Sequence, residues 1–338
     1  LTRLHTVITT IQLPTPAVRA LAVRLKPLSA PMIIIGDKKG PPSFDMEGAV
    51  FLGLQQQLES PYELARKLPV GHYARKNIGY LQAIQLGAAC IYETDDDNEP
   101  LAHWSPREEQ VSVHDVADTG WVNVYRCFSK ERIWPRGLPL DSLFKSFDKQ
   151  PEVGPDAKNV RAPIQQGLAN GSPDVDAVWR LVLDRPFDFD AGPSVLLRPG
   201  AWCPFNSQST WWWPEAYPLL YLPSYCSFRM TDIWRSFIAQ RCLWELGLGV
   251  VFHQAEVVQD RNEHDLMRDF NDEIPGYQRN RELAQVLADT RLDAGVGAIA
   301  TNLRRCYEAL VARSFFVAAE LDLVAAWCDG LEQAQQRA

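Results

Sequence analysis

The sequence predicts an α/β fold: a mostly parallel sheet flanked by helices, with a helical extension at the C-terminus. Three observations carry this. Short, wholly apolar runs, chiefly 32–35 and 88–92, read as strands buried on both faces. Strand and helix patterns alternate through the first hundred residues with short links, as in a doubly wound parallel sheet. From Gln278 to the end the pattern is helical.

The β-branched run from His5 to Ile11 gives the first strand, ending in polar Thr9 and Thr10. Pro16 opens a helix to about Lys26, at the position where a missing N–H costs nothing. The strand at 32–35 is followed by a loop, 36–40, and a further short strand over 48–54. The spacing of Ile78, Leu81 and Ile84 predicts a helix over 73–87, stopped by Gly87. The strand at 88–92 then runs into Thr94-Asp95-Asp96-Asp97-Asn98. Residues 100–225 are rich in Pro, Gly and Trp and read as a few strands and long loops, with 178–183 as one of the short apolar runs. An amphipathic helix over 227–246 and a final strand over 247–252 follow. Residues 261–276 are charged and loop-like. The expected division is a domain over 1–272 and a helical subdomain over 273–338.

With 338 residues, 46% of them hydrophobic, the chain can bury a sizeable core. A net charge of −8 and the absence of a basic stretch make nucleic acid and anionic membranes poor partners. No apolar run is long enough to span a bilayer. Seven cysteines, odd in number and without CxxC spacing, fit neither a zinc site nor a disulfide framework and favour a reducing compartment. The chain begins at Leu1 rather than Met, which predicts a piece of a longer protein with other domains.

Ligands of doubly wound sheets bind beyond the C-terminal strand ends, where the acidic run, the 36–40 loop and Thr9 all fall. Alternate residues leaving a strand face one side, so Asp95 and Asp97 are the expected metal pair and Asp96 the reserve. Two carboxylates with water and diphosphate oxygens suit Mg²⁺ or Mn²⁺. A solvated acidic loop explains the run equally well taken alone; its place after a buried strand favours metal. Arg75 and Lys76 open a helix, where an anion is welcome. Asp37 is placed to accept from a ribose hydroxyl or base N–H, or to form a turn beside Gly36. Arg136, between Pro135 and Pro139, is held for a phosphate or carboxylate, or is a surface arginine on a turn. Asp174 and Asp176 are a second acidic pair, for acceptor hydroxyls or for capping. Asp232, at the start of a helix, is the candidate base for an acceptor hydroxyl, or a first-turn acid. His253 and His264 are candidate third metal ligands, each more often structural. Trp211, Trp212 and Trp213 suit sugar stacking or core packing.

Several strings together resemble the STELLO family of glycosyltransferases: YARKNIGYLQAIQLG at 73–87, CIYETDDD at 90–97, IWPRGLPLD at 133–141, IQQGLANGSPDVDAV at 164–178 and DIWRSFIAQRCLWELG at 232–247. The resemblance covers roughly residues 5–260. It implies a GT-A-like, Rossmann-like fold. It also implies a metal-binding role for Asp95 and Asp97, and a place near the nucleotide for Arg75, Lys76 and Asp37. The acidic run here is DDDN, where a DADD-like form is expected in plant members, so which two acids bind metal stays open. Plant members are Golgi proteins associated with cellulose synthase complexes. The Ala, Arg and Asp richness of this chain suits a bacterial relative, which would be cytoplasmic.

The expected function is transfer of a sugar from a nucleotide-sugar donor, a UDP-sugar first, to a glycan acceptor, with Mn²⁺ or Mg²⁺. The cofactor-binding set is Thr9, Asp37, Arg75, Lys76, Asp96 and Arg136; the metal set is Asp95, Asp97 and His253; the catalytic residue is Asp232. The alternatives are an inactive scaffold of the same fold, and a nucleotide-sugar mutase that needs no acceptor.

Overall fold

The computed structural model describes residues 3–146, 149–261 and 265–338. In chain order the first half holds β1 (Leu4–Thr9), α1 (Pro16–Leu25), β2 (Met32–Ile35), β3 (Ala49–Leu52), α2 (Leu54–Glu59), α3 (Glu63–Lys67), α4 (Lys76–Gln85), β4 (Cys90–Thr94), β5 (Asn98–Pro100), β6 (Gln110–Val116), β7 (Gly120–Trp121), α5 (Leu140–Ser146), β8 (Val153–Arg161) and β9 (Ile164–Gly171). There follow α6 (Ala177–Leu183), β10 (Val195–Leu197), β11 (Ala201–Trp202), β12 (Ser209–Trp212), α7 (Thr231–Trp244), β13 (Val250–Gln259), α8 (Leu266–Asp289), α9 (Ile299–Ala312) and α10 (Ala319–Arg337).

The α/β class is as expected. One 11-stranded sheet runs β3-β2-β1-β4-β12-β9-β13-β10-β6-β8, with β5 paired to β13. Its first four strands are parallel, with Val7 opposite Ile33 and Glu93. Beyond β4 the sheet is mixed: β12 runs antiparallel to both β4 and β9. The pleat sorts side chains onto two faces. On one, Ile8, Met32 and Ile34 pack under Val18, Leu21 and Leu25 of α1. On the other, Val7, Ile33 and Ile35 meet Ile78 and Leu81 of α4. Thr15 caps α1 by accepting from the Val18 amide at 3.2 Å, and Pro16 follows it at the first helical position. Gly79 lets α4 lie close on the sheet: a Cβ there would stand 2.6 Å from Val7 Cγ1.

Three expectations are corrected. Residues 100–225 supply β6, β8, β9, β10 and β12 to the same sheet rather than a few strands among loops. Their strands carry buried polar residues, Gln165 and Gln166 among them, so the two-residue alternation is hidden. The run at 178–183 is helical, not a strand, because Asp176 caps it by accepting from the Trp179 amide at 2.8 Å. Residues 266–276 belong to α8, which passes through Pro275. Its inner face is polar: Asp269, Glu273 and Asn280 are buried, so no apolar period marks it. Asp265 caps it, accepting from the Met267 and Arg268 amides.

The division expected at 272/273 falls inside α8. Leu287, Leu303, Tyr307 and Trp327 of the last three helices share one core with α4 and α7. Glu320 of α10 fastens this end to the sheet domain, accepting from Tyr221 Oη and the amides of Ser224 and Tyr225. No described helix is long and apolar enough to cross a membrane.

Candidate active site

Strands β1, β2 and β4 end on one edge, and a cleft of about 520 Å³ opens there. Thr9, Thr10, Asp37 and all three acids of the run line it, with Tyr73 and Phe228 opposite. The acids do not continue β4. Asp96 and Asp97 form a turn into β5, the Asn98 amide returning to Asp95 O at 3.5 Å. Strand alternation therefore does not choose between them, and all three reach the cleft.

Each acid is held differently. Asp95 Oδ1 accepts from Tyr73 Oη at 2.7 Å and from Lys76 Nζ at 3.0 Å. Asp96 Oδ2 accepts from Thr10 Oγ1, and its carbonyl from Thr15 Oγ1, which ties the turn to the β1–α1 link. Asp97 Oδ2 accepts from Gln259 Nε2 at 2.9 Å, while its Oδ1 is buried with no partner. Burial, then the charges of Asp95 and Asp96, push the Asp97 carboxyl up to about 7. Burial also raises Asp95, against the pull of Lys76. Clustered carboxylates with an orphaned buried oxygen are a donor set that fits a hard divalent cation. No group of three or more His, Cys, Asp or Glu side chains among the described residues could hold a metal alone.

Lys76 is fully buried, and its Nζ donates to Tyr73 Oη, Thr94 O and Asp95 Oδ1. Glu93 lies 3.8 Å from it and also binds Arg235 Nη1 at 2.9 Å. Lys76 thus orients Asp95 from below rather than presenting its charge to a phosphate. Arg75 is corrected outright: it is fully buried, and its guanidinium donates to Gln57 Oε1, Leu68 O and Ala65 O, away from the cleft. Asp37 lines the cleft, but its oxygens accept from the amides of Lys38, Gly71 and His72. It fixes the loop that carries His72 and Tyr73. His253 is likewise removed from the metal set. It is 1% exposed, within β13, with Nδ1 on Ser194 Oγ at 2.6 Å and Nε2 on Gln165 Oε1 at 3.0 Å. Burial holds its pKa well below the usual value. His264 lies outside the described residues.

A smaller recess of about 90 Å³ shares Asp95 and Gln259 with the cleft. Asp232 lines it, in the first turn of α7, and both its oxygens accept from Arg136 Nη2 at 3.1 Å. Arg136 Nε donates to Asp174 Oδ1 at 2.7 Å and Nη2 to Oδ2 at 2.8 Å, a bidentate pair. Burial raises Asp174, but Arg136 more than offsets it and holds the carboxyl below the usual range. Arg136 is therefore no surface arginine; it joins Asp174 to Asp232. Asp176 caps α6 and does not reach the recess. Trp211 and Trp212 are fully buried and Trp213 nearly so, which assigns them to the core.

Sequence reasoning missed Tyr73, Gln259 and Phe228 as site residues. Tyr73 stands inside a quoted string, but its hydroxyl contact with Asp95 is tertiary. Phe228 had one signal, an aromatic two residues before the Met230–Thr231 helix start; it is 56% exposed at the cleft.

The molecule is an open α/β sheet with an acidic turn and a cleft beyond its parallel strand ends, the place where sheets of this class take ligands. A sequence profile of the STELLO glycosyltransferases matches residues 229–336. "Probable glycosyltransferase STELLO2" of Arabidopsis thaliana is 32% identical over 327 residues, covering 89% of this chain and 41% of that protein. "Probable glycosyltransferase STELLO1" of the same plant is 34% identical over 236 residues, covering 64% of this chain and 30% of that protein. The chain belongs to the STELLO family. It spans less than half the length of either relative.

Proposed function

We propose that this chain binds a nucleotide-sugar, a UDP-sugar first among the donors, and transfers the sugar to a glycan hydroxyl with Mn²⁺ or Mg²⁺. One observation carries the reading. Three carboxylates line an open cleft beyond the strand ends, and one of them, Asp97, has a buried oxygen without a partner. Asp97 with Asp95 or Asp96 would hold the metal, which neutralises charge on a departing diphosphate. Thr9, Thr10 and Asp37 wall the nucleotide side, and Phe228 offers an exposed ring for stacking. The names of both relatives agree with sugar transfer.

In the recess, Asp232 would take the proton of the acceptor hydroxyl as its oxygen attacks the anomeric carbon and the bond to diphosphate breaks. Arg136 positions that carboxylate. Transfer by this route inverts configuration. The engagement of both Asp232 oxygens by Arg136 favours a second reading, in which Asp232 only orients Arg136 and configuration is retained. Comparing the anomeric configuration of donor and product separates the two.

The test is thermal shift against nucleoside diphosphates and CMP, each with and without Mn²⁺. A ligand at a hundredfold excess over its Kd stabilises by about 2.7 kcal/mol. A metal-dependent shift with at least one nucleotide is expected. No shift with any of them removes the donor site.

A further inference from the structure

Four arginines, Arg136, Arg180, Arg229 and Arg261, line the 90 Å³ recess beside Asp95 and Asp232. Their partners are unevenly shared. Arg136 takes both Asp174 and Asp232. Arg229 pairs with Glu273 at 2.9 Å and Arg261 with Asp269 at 2.5 Å. Arg180 is 6% exposed, and no carboxylate among the described residues lies within ion-pairing distance of it. Among the described residues its guanidinium donates from Nη2 to Pro173 O at 2.6 Å, and its Nε is buried without a partner.

Burying an unpaired guanidinium is costly unless an anion joins it. Burial presses the Arg180 pKa down to about 10, with the charge of Arg261 adding to it and those of Asp174 and Asp184 opposing it. The recess has room for a single small group, and Arg229 and Arg261 flank it.

We infer that Arg180, with Arg229 and Arg261, forms an oxyanion subsite that takes one phosphate- or carboxylate-sized group of a substrate. This rests on the cleft being the donor site, because the recess opens from it at Asp95 and Gln259. Two substrate groups carry that chemistry: the diphosphate of the donor, and the carboxylate of an acidic sugar. Planar guanidinium groups match either by paired N–H donors.

The test is titration of the chain with inorganic phosphate, with glucuronate and with glucose as the uncharged control, for the natural sequence, Arg180→Gln, Arg180→Lys and Arg261→Gln. Binding of phosphate or glucuronate but not glucose is expected, weakened about tenfold or more by Arg180→Gln and partly restored by Arg180→Lys. Stronger binding of phosphate assigns the subsite to the donor diphosphate; stronger binding of glucuronate assigns it to an acidic sugar. Arg261→Gln repeats the loss if Arg180→Gln does not fold. Absence of oxyanion binding in the natural sequence, or unchanged affinity in folded Arg180→Gln and Arg261→Gln, overturns the subsite. Oxyanion binding that persists where no nucleotide binds with Mn²⁺ overturns the donor reading and leaves the subsite standing.

Discussion

Gln259, the last residue of β13, donates from Nε2 to Asp97 Oδ2 at 2.9 Å, across 162 residues of sequence. Gln208 Nε2 in turn donates to Gln259 Oε1 at 2.8 Å. The mixed half of the sheet thereby fixes one oxygen of an acid that follows β4, the last strand of the parallel half. The other oxygen stays buried and unpaired. On the proposed function, that asymmetry makes Asp97 the first residue to test.

Asp97 weakens the fold when ionised. Its folded pKa, about 7, lies above the ordinary aspartate value of 3.8. The folded state therefore holds the proton more tightly than the unfolded state between those values. The contribution to stability is complete below about pH 4 and is lost as pH rises through 7. Asp97→Asn should be more stable than the natural chain at pH 8, by roughly 1–3 kcal/mol, with the gain vanishing towards pH 4. Denaturant melts at the two pH values check this, and equal differences at both would exclude a raised carboxyl.

Arg136 acts in the opposite sense through Asp174, whose pKa is depressed. Stability from that pair is present above the unfolded carboxylate value and lost as pH falls through the folded one. Arg136→Met leaves Asp232 without its ion-pair partner and Asp174 with Arg229 at 3.9 Å, and should cost about 3–5 kcal/mol at pH 7. The penalty should shrink in acid, where Asp174 takes up a proton. A penalty independent of pH would mean lost packing instead.

Lys76 is the only cation within 4 Å of Asp95 among the described ion pairs, and it also faces Glu93. Lys76→Met should destabilise by about 3–5 kcal/mol, as removal of one member of a buried pair does. Thermal melts measure this. A melting temperature within a degree of the natural chain would show that Lys76 is not the counter-charge for Asp95.

Phe228 is exposed at the cleft and meets Tyr73 and His72 edge-on, at 6.2 and 6.3 Å between ring centres. Its removal exposes no core. Phe228→Ala should leave the melting temperature unchanged while weakening nucleotide affinity about fivefold to tenfold, the worth of one aromatic contact. Full affinity in the variant would take the ring out of the site.

The parallel half of the fold was legible because its strands are apolar on both faces: Met32–Ile35 is a strand at the bounds its composition suggests. The mixed half was hidden because polar residues are buried in it. Gln165 and Gln166 interrupt β9, and Glu273 on α8 faces Arg229 and the Ala177 amide instead of a lipid-like core. The acidic run was visible as composition, and its place at a strand end followed from the strand. The behaviour of individual acids was not visible. Whether Asp95 meets Lys76, or Asp97 meets Gln259, depends on side chains brought together from strands far apart in sequence. Arg75 and Lys76 show the same limit: a pair of cations at a helix start suggests anion binding, yet both are buried and pair inward.

The most direct test of the central claim is calorimetric titration of UDP with Mn²⁺ into the natural chain, Asp97→Asn and Asp95→Asn, each checked for an intact melt. The account predicts metal-dependent binding to the natural chain, lost in Asp97→Asn and reduced in Asp95→Asn, with both variants folded. Equal, metal-dependent affinity in folded Asp97→Asn would contradict it.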